Sequence, residues 1–550
     1  MKKVLFLTAA LAALVACNGT LDLTPTDKVS AKTMWETTKN AEYSVNHLYS
    51  YIWGLAASPT VEYQTGFLTE ALTDELKYTS YNFTPLALIP SYISYFESTV
   101  TASTIDVYLG MWGSLYVAIR ETNEALSYLK EYGKMPEEDH VRLEAELRFL
   151  RAYFYFELVK RYKDVILYDE DLSKISKDKA LSTESEAWDM IQADLDFAAA
   201  NLPSPSAAFG RINSGMAYGF ITRAMLYAKR YDAVIAAANA VKELGYSLEP
   251  EYADSYGKSL AAGNREAILQ YTFDLSKGIS HSFDFFYTPG GDYAVEDMKG
   301  GAYAVPTQEI VESYELATGG FPSWSTWHGS STDTPPYTQL EPRFQATILY
   351  NGSQWKGRTI EPYVGGIDGW TTWKTDKEPK GKTVTGYYLR KHVDEGYSVT
   401  TSGSSHPFTL LRYGEVLLNK AEACYRTNDN AGANTAVREI RQRVGLPYTD
   451  KSGDNLWKAI VQERKVELAF EGLRYWDLRR WEVAAKPYPE GLSSYQLHGL
   501  KIEKEGSGFR YTYVSVDEKD RNFPERLYRF PMPKSELESN SLVNQYDEWK

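Results

Sequence analysis

Cysteine is nearly absent: the 550-residue chain holds two, Cys17 and Cys424. Histidine is scarce too, with seven scattered residues and no paired spacing suited to a metal ion. No apolar run approaches the ~20 residues that a membrane-spanning helix needs. No Lys/Arg tract offers a footprint for nucleic acid, and the net charge is −14. Gly-x-Ser-x-Gly, His-Glu-x-x-His and Cys-x-x-Cys are all missing. These gaps argue against a disulfide-stapled fold, a polytopic membrane protein and a nucleic-acid binder. They leave no positive sign of an enzyme or of a cofactor. A glycosidase pair among the many carboxylates would leave no mark in the spacing.

What is present begins at Lys2 and Lys3, followed by a stretch from Val4 to Val15 that is apolar apart from Thr8. It is too short to span a bilayer and has the form of a secretory signal. Leu14-Val15-Ala16-Cys17 sets a small residue before a cysteine, as a bacterial lipobox does. Residues 1–16 are therefore expected to be cut away and Cys17 acylated; an ordinary signal peptide with an incidental cysteine is the competing reading. More than one acyl chain would anchor the protein firmly, since each buried methylene contributes ~0.8 kcal/mol. Lipidation of Cys17 would leave no intrachain disulfide. Cys424, in a helical pattern with no histidine nearby, reads as a small core residue.

Residues 17–30 are polar and aperiodic, a tether. Helical patterns dominate about 31–245 and 408–485. In the clearest, Leu143, Leu147, Leu150, Phe154 and Leu158 make one apolar face, while Phe149, Tyr153 and Phe156 cover other sides. Two stretches resemble each other. Ala224 and Tyr227 precede a break near Arg230, followed by Ala233, Ala237 and Ala240. Ala421 and Ala423 precede a break at 428–430, followed by Ala433, Val437 and Ile440. Small residues at these positions allow the close helix approach of a tetratricopeptide-like pair. Between them, about 246–407, lie 19 of the 38 glycines and 10 of the 23 prolines, so helices give way to loops with candidate strands at 267–273 and 387–393. Loops this long are usually functional, and their aromatics argue against disorder. The 43 Tyr and 13 Trp exceed what an aliphatic core uses, which points to aromatics at surfaces. A C-terminal segment spans 486–550.

Residues 463–481 are dense in charge. Glu463 and Glu467 share a helix face, as an acid/base pair would. Arg464 with Glu467 and Glu471 with Arg474 are also spaced as ordinary helix-stabilising pairs, and Gly472 suits a turn. Ion pairing accounts for the block without a reaction.

Taken in order, the motifs resemble the SusD/RagB family of outer-membrane nutrient-binding lipoproteins. They are Cys17-Asn18 leading to Leu21-Asp22-Leu23-Thr24-Pro25-Thr26-Asp27, then residues 145–155, 411–423 and 463–480, and Phe530-Pro531-Met532-Pro533 followed by Glu536. Two features depart from the pattern: only Asp22 and Asp27 follow the cysteine, and residues 488–521 look like an insertion. The resemblance implies a mainly α, SusD-like fold over 31–550. It would have four tetratricopeptide-like helix pairs and a loop-rich half that binds glycan or, in some members, peptide. It also implies a SusC-like TonB-dependent outer-membrane transporter as partner, and lipid anchorage through Cys17 on the cell exterior.

A flat ring can bury the C–H face of a sugar while nearby polar groups bond its hydroxyls. The family's site joins a loop after the first helix to loops of the middle region. The resemblance thus points to Asp74, Tyr78, Tyr81 and Phe83, and to Tyr287, Asp292, Tyr293, Trp324 and Trp327. Trp324 and Trp327 stand beside Gly319-Gly320 and Pro322, where irregular backbone makes exposure the expectation. Trp370 and Trp373, after Gly365-Gly366, are a weaker alternative platform. Capture of polysaccharide or oligosaccharide is the leading reading, uptake of oligopeptide the alternative, and a surface glycosidase or pure scaffold a distant third.

Overall fold

Stripes and caps carried by the local sequence set the helical half. The computed structural model describes residues 30–55, 69–79, 100–107, 109–205, 210–298, 300–371, 381–401 and 403–550. The signal segment, Cys17 and the tether up to residue 29, with Tyr81, Phe83 and Trp373, lie outside the described residues. The longer helices are α1 (Thr38–Leu55), α2 (Trp112–Tyr132), α3 (Glu137–Tyr162), α4 (Glu184–Asn201), α5 (Ser214–Tyr227), α6 (Tyr231–Glu243), α7 (Tyr413–Arg426), α8 (Asn430–Arg443), α9 (Gly453–Glu467) and α10 (Arg474–Arg480). The strands are short: β1 (Leu76–Tyr78), β2 (Ala267–Tyr271), β3 (Ala304–Pro306), β4 (Ser330–Ser331), β5 (Ile348–Leu349), β6 (Gln354–Trp355), β7 (Arg358–Thr359), β8 (Tyr388–Leu389), β9 (Phe408–Arg412), β10 (His498–Glu505) and β11 (Gly508–Ser515).

Helix α3 opens on Glu137, Glu138 and Asp139 and closes on Lys160 and Arg161, each set facing the helix-dipole end of opposite sign. Its expected stripe is fully buried, as are Phe149, Tyr153 and Phe156, so the helix is enclosed nearly all round. Thr183 and Glu186 form a capping box on α4, and Asn213 and Asp429 cap α5 and α8. Four pairs follow along the chain: α1 on α2, α3 on α4, α5 on α6 and α7 on α8. Helices α5 and α6 also pack on α7, joining the two halves of the scaffold. Ala224, Ala421, Ala423, Ala433 and Cys424 are buried at these contacts. On α6 the buried stripe is Val234, Ala237, Ala238 and Val241, whereas Ala233 and Ala240 are half-exposed. The larger valines take the core side because they have more apolar surface to withdraw from water.

The loop-rich stretch leaves the scaffold at β2 and returns at β9, and these strands pair antiparallel, closing the excursion at its neck. The strand expected at 267–273 forms as β2, but of 387–393 only β8 is extended. Residues 488–521 become a hairpin: β10 and β11 pair over eight residues each, and β4 joins the outer edge of β11. Beneath the hairpin, Asp517 accepts from Lys77 and Arg521 at 2.7 Å each. The closing Phe530 and Met532 are buried, and the Phe530 amide bonds the Arg161 carbonyl at the end of α3.

The charged block is a buried ionic keystone. Arg412 Nη1 lies 2.7 Å from Glu266 and 2.7 Å from Glu467, which also accepts from Arg343 and Arg443. Glu463 meets Arg343 and Arg441, and Glu471 meets Lys391 and Arg412 at 2.6 Å. The expected pairs three residues apart do not form. Helix α9 ends at Glu467 and Gly472 turns the chain at φ +74°, so Glu471 and Arg474 no longer share a helix. Arg464 instead reaches Asp477 at 3.0 Å and Arg474 reaches Asp74. A Cβ at Gly414 would overlap the Arg412 guanidinium, so glycine lets the cluster close.

Candidate functional site

Strand β1 pairs with β3, setting Tyr78 opposite Ala304. Beyond it the Thr79 amide bonds the Tyr303 carbonyl (3.1 Å), and the Tyr303 amide bonds the Phe286 carbonyl (2.9 Å). This ladder joins β1, which lies in the loop after the first helix, to the middle region. It raises a ledge of rings. Phe286 and Tyr303 meet edge to face at 4.5 Å, and Phe285 meets Phe286 at 4.9 Å. Phe285 is 36% exposed, and Val295 (61%) and Met298 (40%) are further exposed apolar side chains of the same stretch of chain. Glu296 and Asp297 are exposed beside them and offer acceptors. Burial raises the Tyr303 hydroxyl to about 12, so it stays a neutral donor.

Several residues expected at the site stand behind this ledge and do not present a face to solvent. Tyr287 stacks on Phe283 at 4.4 Å, and Tyr293 bonds the Phe285 carbonyl; both are buried. Tyr78 is buried in β1. Asp74 is buried between Lys465 and Arg474; burial would raise its pKa, but those two cations hold it well below the usual carboxylate range. Asp292 accepts from Trp355 Nε1 (3.0 Å) and pairs with Arg358 and Lys356. It thereby locks the hairpin of β6 and β7, and those partners lower its pKa against the effect of burial.

The tryptophan pair sits apart, against β4. Trp324 is 6% exposed, packed on Tyr337 and edge to face with Trp327 at 5.6 Å. Its expected exposure is corrected: irregular backbone freed the ring to turn inward. Trp327 is half-buried, with Nε1 donating to the Asp333 carbonyl at 2.9 Å. Trp370 is half-buried as well. Sequence reasoning missed Phe285, Phe286 and Tyr303; the run Phe283-Asp284-Phe285-Phe286-Tyr287 was the one signal for the first two, since on a single helical turn such rings must face both inward and outward, and Tyr303 had none. Among the described residues, no group of three His, Cys, Asp or Glu side chains could hold a metal ion.

Comparison with known proteins fits this architecture. A family model described as the SusD family matches residues 265–549, and one described as starch-binding associating with outer membrane matches residues 32–226. SusD-like protein P2 of Formosa agariphila is 27% identical over 408 residues, 69% of this chain and 73% of that protein. A SusD-like protein of Bacteroides fragilis, 28% identical, superposes with a TM-score of 0.77 over 95% of this chain and 99% of its own. A laminarin-binding SusD-like protein, 20% identical, shares the fold with a TM-score of 0.62 over 93% of this chain and 100% of that one. With its helix pairs, its loop-rich excursion and both family matches in register, the chain belongs to the SusD family.

Proposed function

We propose that this protein captures polysaccharide or oligosaccharide at the outer membrane and hands it to a SusC-like TonB-dependent transporter, without cleaving it. The ledge of Phe285, Phe286 and Tyr303 carries this reading. Phe285 is its exposed ring, and exposed carboxylates follow at Glu296 and Asp297, the two kinds of group that suit a sugar's C–H face and its hydroxyls. Relatives described as carbohydrate-binding and laminarin-binding support glycan as the ligand class. The outer-membrane description of one matching family model supports the location. The block at 463–480 supports a non-catalytic role, because its carboxylates are occupied by arginine and lysine. Acylated Cys17 would supply the anchor, and the transporter a path inward that anchorage alone does not give. Trp327, half-exposed beside β4, is a second contact for a long chain.

The test is calorimetric titration of the soluble portion against starch, laminarin and other polysaccharides, with an oligopeptide library alongside. Binding to at least one glycan, weakened by Phe285→Ala and with no shorter products on prolonged incubation, is the expected result. Binding confined to peptides would replace the reading with oligopeptide uptake.

A further inference from the structure

A cavity of about 670 Å³ lies between α3, α4 and α10, and its lining includes none of the ledge residues. Its lining includes buried Arg479, Trp188 and Trp476 and half-buried Lys160, Lys163 and Arg480. Charge there is not balanced. Glu157 is shared by Lys160 (2.7 Å) and Arg161, so one buried carboxylate serves two cations. Arg480 is paired with Glu422 and Asp477. Arg479 is 5% exposed and, among the described residues, meets no carboxylate. One of its terminal nitrogens donates to the Tyr528 carbonyl (3.2 Å), while Nε and the other terminal nitrogen find no acceptor. The guanidinium lies instead over Phe530 and Trp476, at 4.4 and 4.9 Å from the ring centres. At the rim, exposed Lys229 and Lys486 offset exposed Glu482 and Glu525; half-buried Glu184, which accepts from Trp188 Nε1 (3.2 Å), is the remaining carboxylate of the lining and does not balance Lys160, Lys163, Arg479 and Arg480. Burial pushes Lys160 down to about 7 against the pull of Glu157, and burial lowers Arg479 as well, so a further anion beside them would favour their charged forms.

A protein with net charge −14 has no general attraction for anions, so a cationic cavity is a local specification. We infer that this cavity binds the oxyanion group, carboxylate or sulfate, of an acidic sugar, with Arg479, Lys160 and Lys163 as its partners. One guanidinium flanked by two ammonium groups suits a single oxyanion, and the cavity has room for about a disaccharide. The inference rests on the glycan reading for the class of molecule, though not for the charge it carries.

Titration with digalacturonate, a neutral disaccharide of the same size and sodium sulfate separates the two. Digalacturonate should bind, the neutral sugar should not bind at this site, and sulfate should compete. Lys163→Glu, at a half-exposed position that leaves the fold in place, should weaken digalacturonate at least tenfold, as should Arg479→Gln if it folds. Neutral-polysaccharide binding at the ledge should be unchanged in both variants, so failure of glycan capture and failure of this site read out separately. Sulfate binding without digalacturonate would overturn the sugar assignment. Unaltered digalacturonate affinity in Lys163→Glu, or binding of neither anion, would overturn the site.

Discussion

Trp324 and Phe285 are rings in irregular segments with opposite surroundings, and substitution separates them. Trp324→Ala removes a ring packed on Tyr337 and Trp327, and should cost about 3–5 kcal/mol of stability. Its thermal melt should fall clearly below that of the wild type. Phe285→Ala removes an exposed ring; the melt should hold, and glycan affinity should drop roughly tenfold, the equivalent of about 1.4 kcal/mol. A normal melt for Trp324→Ala would return that residue to the candidate surface. Composition announced that some aromatics lie at the surface but could not say which. The inward turn of Trp324 depends on Tyr337, thirteen residues on, and the burial of Asp74 depends on Lys465 and Arg474, some four hundred residues away. Spacing carries no trace of partners so remote.

Among the elements, the helices were the most legible because their signals are local: the stripe on α3, the breaks at 230 and 428–430, and the small residues between paired helices. The hairpin of β10 and β11 showed only as an interruption of the family pattern, since its purpose lies in what it covers. It seats Asp517 against Lys77, which follows Leu76 on β1, and so braces the strand that leads to the candidate site. Asp517→Ala would take from buried Lys77 and Arg521 the carboxylate they share, at a cost of about 3–5 kcal/mol. Urea unfolding should show the lower midpoint. A midpoint equal to that of the wild type would mean that the hairpin is dispensable to β1.

At the scale of the whole molecule, pH acts through buried carboxylates of two kinds. Burial alone would raise Glu471, but Arg412 and Lys391 hold it at about 2, and Glu467 is held low by Arg443, Arg412 and Arg343. A carboxylate whose folded pKa lies below its unfolded value stabilises the fold above the unfolded value, ~4.5, and loses that contribution as pH falls toward 2. Glu70 and Glu75 are raised by burial, so their contribution runs the other way: it is complete below ~4.5 and fades as pH rises through their folded values. Melting temperature should therefore peak on the acid side of neutrality and fall steeply below about pH 4.5. In Glu471→Gln the acid limb should be shallower and the value at pH 7 lower. A flat profile from pH 5 to pH 2 would contradict this assignment of charge.

The neutralisation of Glu467 has a consequence for how the protein comes apart. Its counter-charges arrive on Arg343 from the excursion, Arg412 from its neck and Arg443 from α8. None of these segments can peel away alone without leaving a bare charge in a dry interior. The scaffold and the loops it carries are thus one cooperative body. A protease that severed the excursion would not release a trimmed survivor, because the cut would spread into the helices that the loops help to keep electrically silent.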